Sequence, residues 1–337
     1  LVLNHVSKRL LKLDLVSGSD YLLACTKAVD SVGSMMAIFK LESKFQSELD
    51  SLFEVIRALF LLEPLLLFSV LEKLKTKKED IHQLYAFVGE VDVALSISSL
   101  RKSLPYFSKP RLSEDQKHIS AEGLYHPLLD NFVANSIEIC GKSALLTGSN
   151  MSGKTTFIRT VGINVILSQT INTCFATNLD IPRLKVYSAI RISDDLMSEK
   201  SYYFEEVLTI KSMLNESESG MPSLFLLDEI FKGTNTVERI AAGKAVLSYL
   251  NKNDHIVFVS THDLELAELL SDTYDLYHFT ELVENEKIVF DYKLKFGNLK
   301  STNAIRILVL NDYPSEVTSE AKKISIHMKN SNVANRA

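Results

Sequence analysis

A glycine-spaced turn between an apolar run and a helical stretch restricts this chain more than any other feature. Residues 144–160 read Ala-Leu-Leu-Thr-Gly-Ser-Asn-Met-Ser-Gly-Lys-Thr-Thr-Phe-Ile-Arg-Thr, and Gly148, Gly153, Lys154 and Thr155 fill the pattern Gly-x-x-x-x-Gly-Lys-Thr. The run Ser143-Ala-Leu-Leu146 before it reads as a buried strand, and the residues after it read as a helix start. A turn so placed aims backbone N–H groups and a helix N-terminus at phosphates, with Lys154 reaching the β and γ phosphates and the Thr155 hydroxyl available to Mg2+. The pattern therefore implies nucleotide binding through Gly148, Asn150, Met151, Ser152, Gly153, Lys154, Thr155 and Thr156.

The chain's 337 residues suffice for two domains and at least one substantial core. A formal charge of −5 and a pI near 6.0 exclude a global basic field that would draw it to nucleic acid or an anionic membrane. A local basic surface is still open. Cys25, Cys140 and Cys174 are too scattered for a metal site or a disulfide framework, which fits a reducing, cytoplasmic compartment and predicts small core residues. The chain begins with Leu1 and shows no signal peptide, so it reads as the carboxy-terminal piece of a longer protein.

Apolar spacing predicts a mostly helical region over 1–118, with stretches at Leu10–Leu23, Val32–Phe45, Leu52–Leu71 and Ile81–Leu100 suited to a bundle or a set of levers. The apolar segment Ala58–Leu71 is interrupted by Glu63 and Pro64 and is shorter than the ~20 residues a membrane span needs. A buried helix pair is the expectation there, with membrane contact of a longer parent protein as the alternative. The lysine-rich run Lys73–Asp80 reads as a solvated face, or as a contact to a DNA backbone. A patternless stretch with Pro105 and Pro110 marks the boundary to an α/β domain over 119–328 with a mainly parallel sheet, preceded by a small β layer and followed by a flexible tail over 329–337. Tyr274–Leu282 and Lys287–Lys293 read as an antiparallel hairpin.

The strongly apolar strand Leu224–Glu229 ends in two carboxylates. Asp228 is the expected Mg2+-side group, and Glu229 points elsewhere, so it can polarise an attacking water. His262 follows the next apolar run, where a group sensing the γ phosphate would sit. Lys154, Glu229 and His262 form the expected catalytic set, and Thr155 with Asp228 the expected metal ligands. Ser201 lies far from the first loop and is better placed to complete a nucleotide site on a second subunit, with Gly233–Thr236 lining the shared interface; a plain helix cap is its other reading.

Over about residues 85–325 these motifs resemble the ATPase domain of the MutS DNA mismatch-repair proteins, within the wider ABC-type P-loop ATPases. The family's Thr-Gly-Pro-Asn-Met-Gly-Gly-Lys-Ser-Thr corresponds to Thr147–Thr156, and its Asp-Asp-Leu followed by Ser-Thr-Phe-x-x-Glu to Asp194-Asp195-Leu196 and Ser201–Glu206. Its Leu-Leu-Asp-Glu-x-x-x-Gly-Thr-Ser-Thr corresponds to Leu226–Thr236, and its Ala-Thr-His to Ser260–His262. His126, Pro127, Phe132 and Asn135 resemble the segment beside the adenine. The resemblance implies ATP and Mg2+ between the subunits of a homodimer or heterodimer, hydrolysis to ADP and phosphate, and helical regions that engage double-stranded DNA, with a further repair protein as a possible partner. Ser149, Ser152, Tyr202 and Asn235 depart from the family pattern, Ser152 being costly only if its backbone needs a positive φ. The mismatch-reading wedge and a clear clamp module are not in this sequence, which keeps two alternatives open: a nucleotide-switched structural or membrane-associated protein, and a branched-DNA or recombination-control ATPase.

Overall fold

The structure, a computed structural model, describes residues 2–12, 19–41, 59–115, 117–149, 151–190, 202–284, 287–299, 304–311 and 313–334. It divides into two compact units, Leu1–Ser103 and Leu104–Ala337.

In the first unit, helices α1 (Val2–Leu11), α2 (Ser19–Leu41), α3 (Leu62–Thr76) and α4 (Lys78–Ser103) pack with one another, α4 touching the other three. Leu84 and Phe87 of α4, Cys25 of α2 and Val70 of α3 are buried, and the Asn4 amide donates to Asp30 at 2.7 Å. Pro64 stands in the first turn of α3, where a missing N–H leaves no intrahelical bond unmade. The apolar stretch expected as a buried helix pair is instead well exposed within the described residues: Leu59 is 75% accessible and Phe68 67%. No described helix is long and apolar enough to cross a membrane.

The second unit is α/β. Strands β1 (Arg111–Leu112), β2 (His118–Leu124), β3 (Asn135–Cys140) and β5 (Asn178–Ile181) form a four-stranded sheet in the order β1-β5-β2-β3. The expected β layer is there, but its strands are displaced, because His126–Asn131 turns instead of extending. The six-stranded sheet contains β4 (Ser143–Thr147), β6 (Lys185–Ala189), β7 (Ser223–Asp228), β8 (Ile256–Ser260), β9 (Tyr274–His278) and β12 (Lys295–Phe296), in the order β12-β9-β4-β8-β7-β6. The β6·β7, β7·β8, β8·β4 and β4·β9 ladders are parallel, and β9·β12 is antiparallel.

Helices α5 (Lys154–Ile171), α6 (Tyr202–Ser217), α7 (Thr236–Leu250) and α8 (Leu264–Leu270) accompany this sheet. Every residue of β4 and β8 is buried, so both faces are covered, and their side chains divide between two cores. Leu146, Leu226 and Phe258 join Phe157, Ile158, Val161 and Val165 of α5 on one face. Leu145, Phe225, Leu227 and Val259 join Ile210 of α6, Leu247 of α7 and Leu266 of α8 on the other. Each fully buried side chain of this size contributes about 1.5–3 kcal/mol relative to exposure.

Tyr274–Leu282 is not one arm of a hairpin. Its first half joins the main sheet beside β4, where alternate faces of Tyr274 and Tyr277 are buried; only β10 (Glu281–Glu284) pairs antiparallel with β11 (Lys287–Phe290). Helices α9 (Ala304–Leu310) and α10 (Ser315–Ala334) follow, α10 running on through Lys329. Cys25 and Cys174 are buried as expected, whereas Cys140, at the end of β3, is exposed.

Gly162 of α5 lies against β7, so closely that an added Cβ would stand 2.4 Å from Leu226 Cδ1. Gly162→Val is expected to destabilise the chain by about 1–3 kcal/mol through overpacking, read as a lowered midpoint in urea unfolding.

Candidate functional site

Because β4, β8 and β7 run parallel and side by side, their carboxyl ends converge on one edge of the sheet. The Gly148–Thr155 turn leaves β4, Asp228 and Glu229 end β7, and Ser260–His262 end β8.

The turn is shaped by its glycines. Gly148 has φ +145° and Gly153, the N-cap of α5, φ +107°. A Cβ at Gly148 would meet the Phe279 carbonyl oxygen at 2.7 Å and Ser152 Oγ at 2.9 Å. Ser152 does not take a positive φ; Met151 does, at +69°. The serine is therefore accommodated, buried with its hydroxyl donating to the Ser149 carbonyl at 2.8 Å. Lys154, 4% exposed, donates to the Gly148 and Ser149 carbonyls, both at 2.8 Å. Burial pushes its ammonium below the ordinary lysine range, against the pull of Glu229 and Asp228.

Thr155 Oγ1 donates to Asp228 Oδ2 at 2.9 Å, and Ser260 Oγ donates to Asp228 Oδ1, the strand register having set those two residues opposite each other. A hydroxyl and a carboxylate are the hard oxygen ligands that suit Mg2+. Among the described residues no group of three or more His, Cys, Asp and Glu side chains could hold a metal ion, so further ligands would be phosphate oxygens or water.

Glu229 and Phe231 stand at φ +53° and +61°, conformations that cost a non-glycine residue about 1–3 kcal/mol each. The turn is held by the Glu229 N–H on the Ser260 carbonyl at 2.9 Å, by burial of Ile230 and Phe231, and by the Phe231 N–H on Glu206 Oε1 at 2.7 Å. Both oxygens of Glu229 are engaged, Oε1 by His262 Nε2 and Oε2 by Lys232 Nζ. Burial alone would raise this carboxyl; the contacts from His262 and Lys232 outweigh it and hold it at about 2.

A cavity of about 520 Å3 opens beside the turn, within the usual range for small-molecule sites. Ser149, Met151, Gly153, Lys154, Thr155, Thr156 and Glu229 line one part; Tyr125, His126, Phe132, Asn135, Phe279 and Tyr292 line another. Phe132 stacks on Tyr125 with centroids 4.1 Å apart. Asn135 donates to the Tyr292 carbonyl at 3.0 Å and accepts from the Leu294 N–H at 2.8 Å, fixing the cavity wall. Burial, then the charge of Arg159, depresses His126. A second cavity of about 160 Å3 is lined by Glu229, Lys232, Arg239, Thr261, His262 and Asp263, so Glu229 borders both. The glycine geometry, the buried lysine and the hydroxyl–carboxylate pair at one end of a cavity of this size fit a nucleotide with a divalent cation.

The structure thus gathers Gly153, Lys154, Thr155, Asp228, Glu229 and His262 at one edge, with His126, Phe132 and Asn135 on the cavity wall. Pro127 is next to His126 in the turn and does not line the cavity. Asn150, Ser201 and Asp194–Leu196 lie outside the described residues. Asn235 caps α7, accepting from the Glu238 N–H at 3.0 Å. Sequence reasoning missed Lys232, Tyr292 and the bidentate Arg239–Asp263 pair, whose bonds measure 2.8 and 2.7 Å, and it carried Glu206 only as the last residue of a family motif, without its bond to the Phe231 N–H. Only Lys232, three residues after Glu229, left a local signal.

The family model described as MutS domain V matches residues 144–329. A DNA mismatch repair protein MutS from Listeria welshimeri is 30% identical over 285 residues, covering 80% of this chain and 32% of that protein. One from Aquifex pyrophilus is 32% identical over 247 residues, covering 70% and 28%, and one from Geobacillus sp. is 30% identical over 279 residues, covering 78% and 32%. The chain spans about a third of the length of these curated relatives.

The Glu229 ion pairs carry a pH signature. The folded carboxyl, at about 2, lies below its ordinary value of 4.5, so the stabilisation is present above pH 4.5 and lost as pH falls through 2. The stability difference between the native chain and Glu229→Gln, read by thermal melts, is expected to shrink as pH drops from about 6 to about 3.

Proposed function

The chain belongs to the MutS family, and on that footing we propose that it binds ATP in the large cavity and hydrolyses it to ADP and phosphate. The observation that carries this reading is the convergence of Lys154, the Thr155–Asp228 pair and Glu229 at one end of a cavity whose other wall is aromatic. In this proposal residues 119–328 form an ABC/MutS-type P-loop ATPase domain with a mainly parallel sheet, and residues 1–118 a helical lever region.

Lys154 already points its ammonium at carbonyl oxygens of the turn, and exchange onto phosphate oxygens would set its charge against the transferred group. A divalent cation held by Thr155 and Asp228 would, when bound, neutralise charge on the phosphate oxygens. Glu229 is a carboxylate throughout the neutral range; it serves by orienting and polarising water through hydrogen bonds more than by storing a proton. His262 holds one of its oxygens and so orients it. Phe132 and Tyr125 offer a stacked apolar wall for a base. Ser201 would complete the site of a second subunit, making the active form a homodimer or heterodimer in a cytoplasmic compartment.

Coupling of the cycle to double-stranded DNA is proposed from the similarity to DNA mismatch repair proteins. A second reading, a nucleotide-switched protein that engages a protein or membrane partner, is favoured by the exposed apolar residues Leu59, Phe60, Leu65, Leu67 and Phe68.

Glu229→Gln is expected to keep ATP binding while lowering turnover about 100-fold or more, and Lys154→Ala to weaken binding itself; both are read by equilibrium nucleotide binding beside steady-state hydrolysis. Unchanged turnover in Glu229→Gln would remove its role. Titration with perfect, mismatched and branched duplexes is expected to change turnover; no response to any of them, with ATP binding intact, selects the second reading.

A further inference from the structure

Asn164 is a fully buried polar side chain on α5, among the apolar residues Val161 and Val165 that pack this helix onto the sheet. A buried amide is costly unless its N–H groups and its oxygen find partners, and here they do. Nδ2 donates to the Thr160 carbonyl at 2.9 Å and to the Tyr125 carbonyl at 3.3 Å, and Oδ1 accepts from the Phe175 N–H at 2.6 Å. Tyr125 and Phe175 already meet through the Tyr125 N–H on the Phe175 carbonyl at 3.0 Å, their rings edge to face 5.8 Å apart. Asn164 takes the two backbone groups that this pair leaves over, so one side chain ties both segments to α5. The tie leads to the large cavity. The Tyr125 ring, 2% exposed, packs edge to face on Tyr106 at 4.8 Å and carries Phe132 stacked on it; Tyr125, His126 and Phe132 line the cavity. The helix that Asn164 stands on starts at Lys154, whose ammonium reaches into the phosphate turn.

We propose that Asn164 is a positioning residue for base recognition: through Tyr125 it holds the Phe132 wall at a set place relative to the phosphate turn, and so lets the cavity prefer a nucleoside triphosphate to a bare polyphosphate. One helix then carries both ends of the site, the turn at its first residue and the wall through its amide. A buried polar network with its partners met specifies one arrangement, where apolar contacts alone tolerate several. A ligand held at two ends gains from both only while the spacing between them is kept, and the phosphate end keeps its own contacts regardless. Asn164 does not line the cavity and acts through Tyr125 and Phe132. The proposal rests on the ATP-binding reading above and assigns the part of it that recognises the base.

The test is calorimetric titration of the full chain with ATP and, separately, with inorganic tripolyphosphate, both in the presence of Mg2+, with thermal midpoints as a check on folding. The native chain is expected to bind ATP the more tightly. Asn164→Leu, close in volume but without hydrogen bonds, weakens ATP about threefold to tenfold and tripolyphosphate less than about twofold, whereas general loosening of the fold would weaken both alike. Asn164→Ala leaves room for a water at the Phe175 N–H and the Tyr125 carbonyl, so it folds where the leucine does not, and it shows the same pattern. Phe132→Leu lowers ATP affinity by itself, and adding Asn164→Ala to it lowers that affinity no further. In a folded Asn164 variant, an unchanged ATP affinity, an equal loss for both ligands, or a further loss on top of Phe132→Leu each overturns the positioning role while leaving ATP binding standing. A native chain that binds tripolyphosphate as tightly as ATP overturns the base wall and the role of Asn164 with it, and one that binds neither overturns the ATP reading itself.

Discussion

A single carboxylate stitches the site together. Asp228 takes a hydroxyl from Thr155 at the start of α5 and another from Ser260 at the end of β8, while its own backbone closes β7. Three elements distant in sequence are thereby tied at one point. The strand order makes the stitch possible: β8 separates β4 from β7, so the glycine turn and the acidic turn face each other across a single strand's width. Apolar packing on both faces of the sheet then holds that edge still.

Strain concentrates next to this stitch. Glu229 and Phe231 take left-handed backbone conformations, and Ile230 between them is buried. Without the Glu206 bond and the two buried side chains the turn would relax. The same turn carries the lysine, the histidine contact and the border between the two cavities, so the parts of the chain that give Glu229 its charge and direction are also those that hold its backbone.

How much of this was legible in the sequence follows from what each residue depends on. The buried strands were readable because their apolar runs answer to burial on both faces. The glycine turn was readable because its φ values demand glycine. Tyr274–Leu282 misled because a strand in a parallel ladder and a hairpin arm share one local pattern and differ only in partner. The exposed apolar residues of Ala58–Leu71 misled because hydropathy reports preference for burial and not what provides it. Arg239 and the partner of Glu206 went unseen for the same reason: Asp263 lies 24 residues from Arg239 and Phe231 25 from Glu206, and no spacing rule links them.

The two bonds from Lys154 to its own turn bear on ligand selection. An anion that recruits this ammonium must displace the Gly148 and Ser149 carbonyls, so association is a competition between acceptors and not the filling of a waiting charge. A single weakly charged oxygen gains little in that trade, whereas a chain of phosphates offers several at once. Under the proposed ATP-binding reading, the turn's internal bonding would thus favour polyphosphates over single weakly charged anions, before any base is recognised.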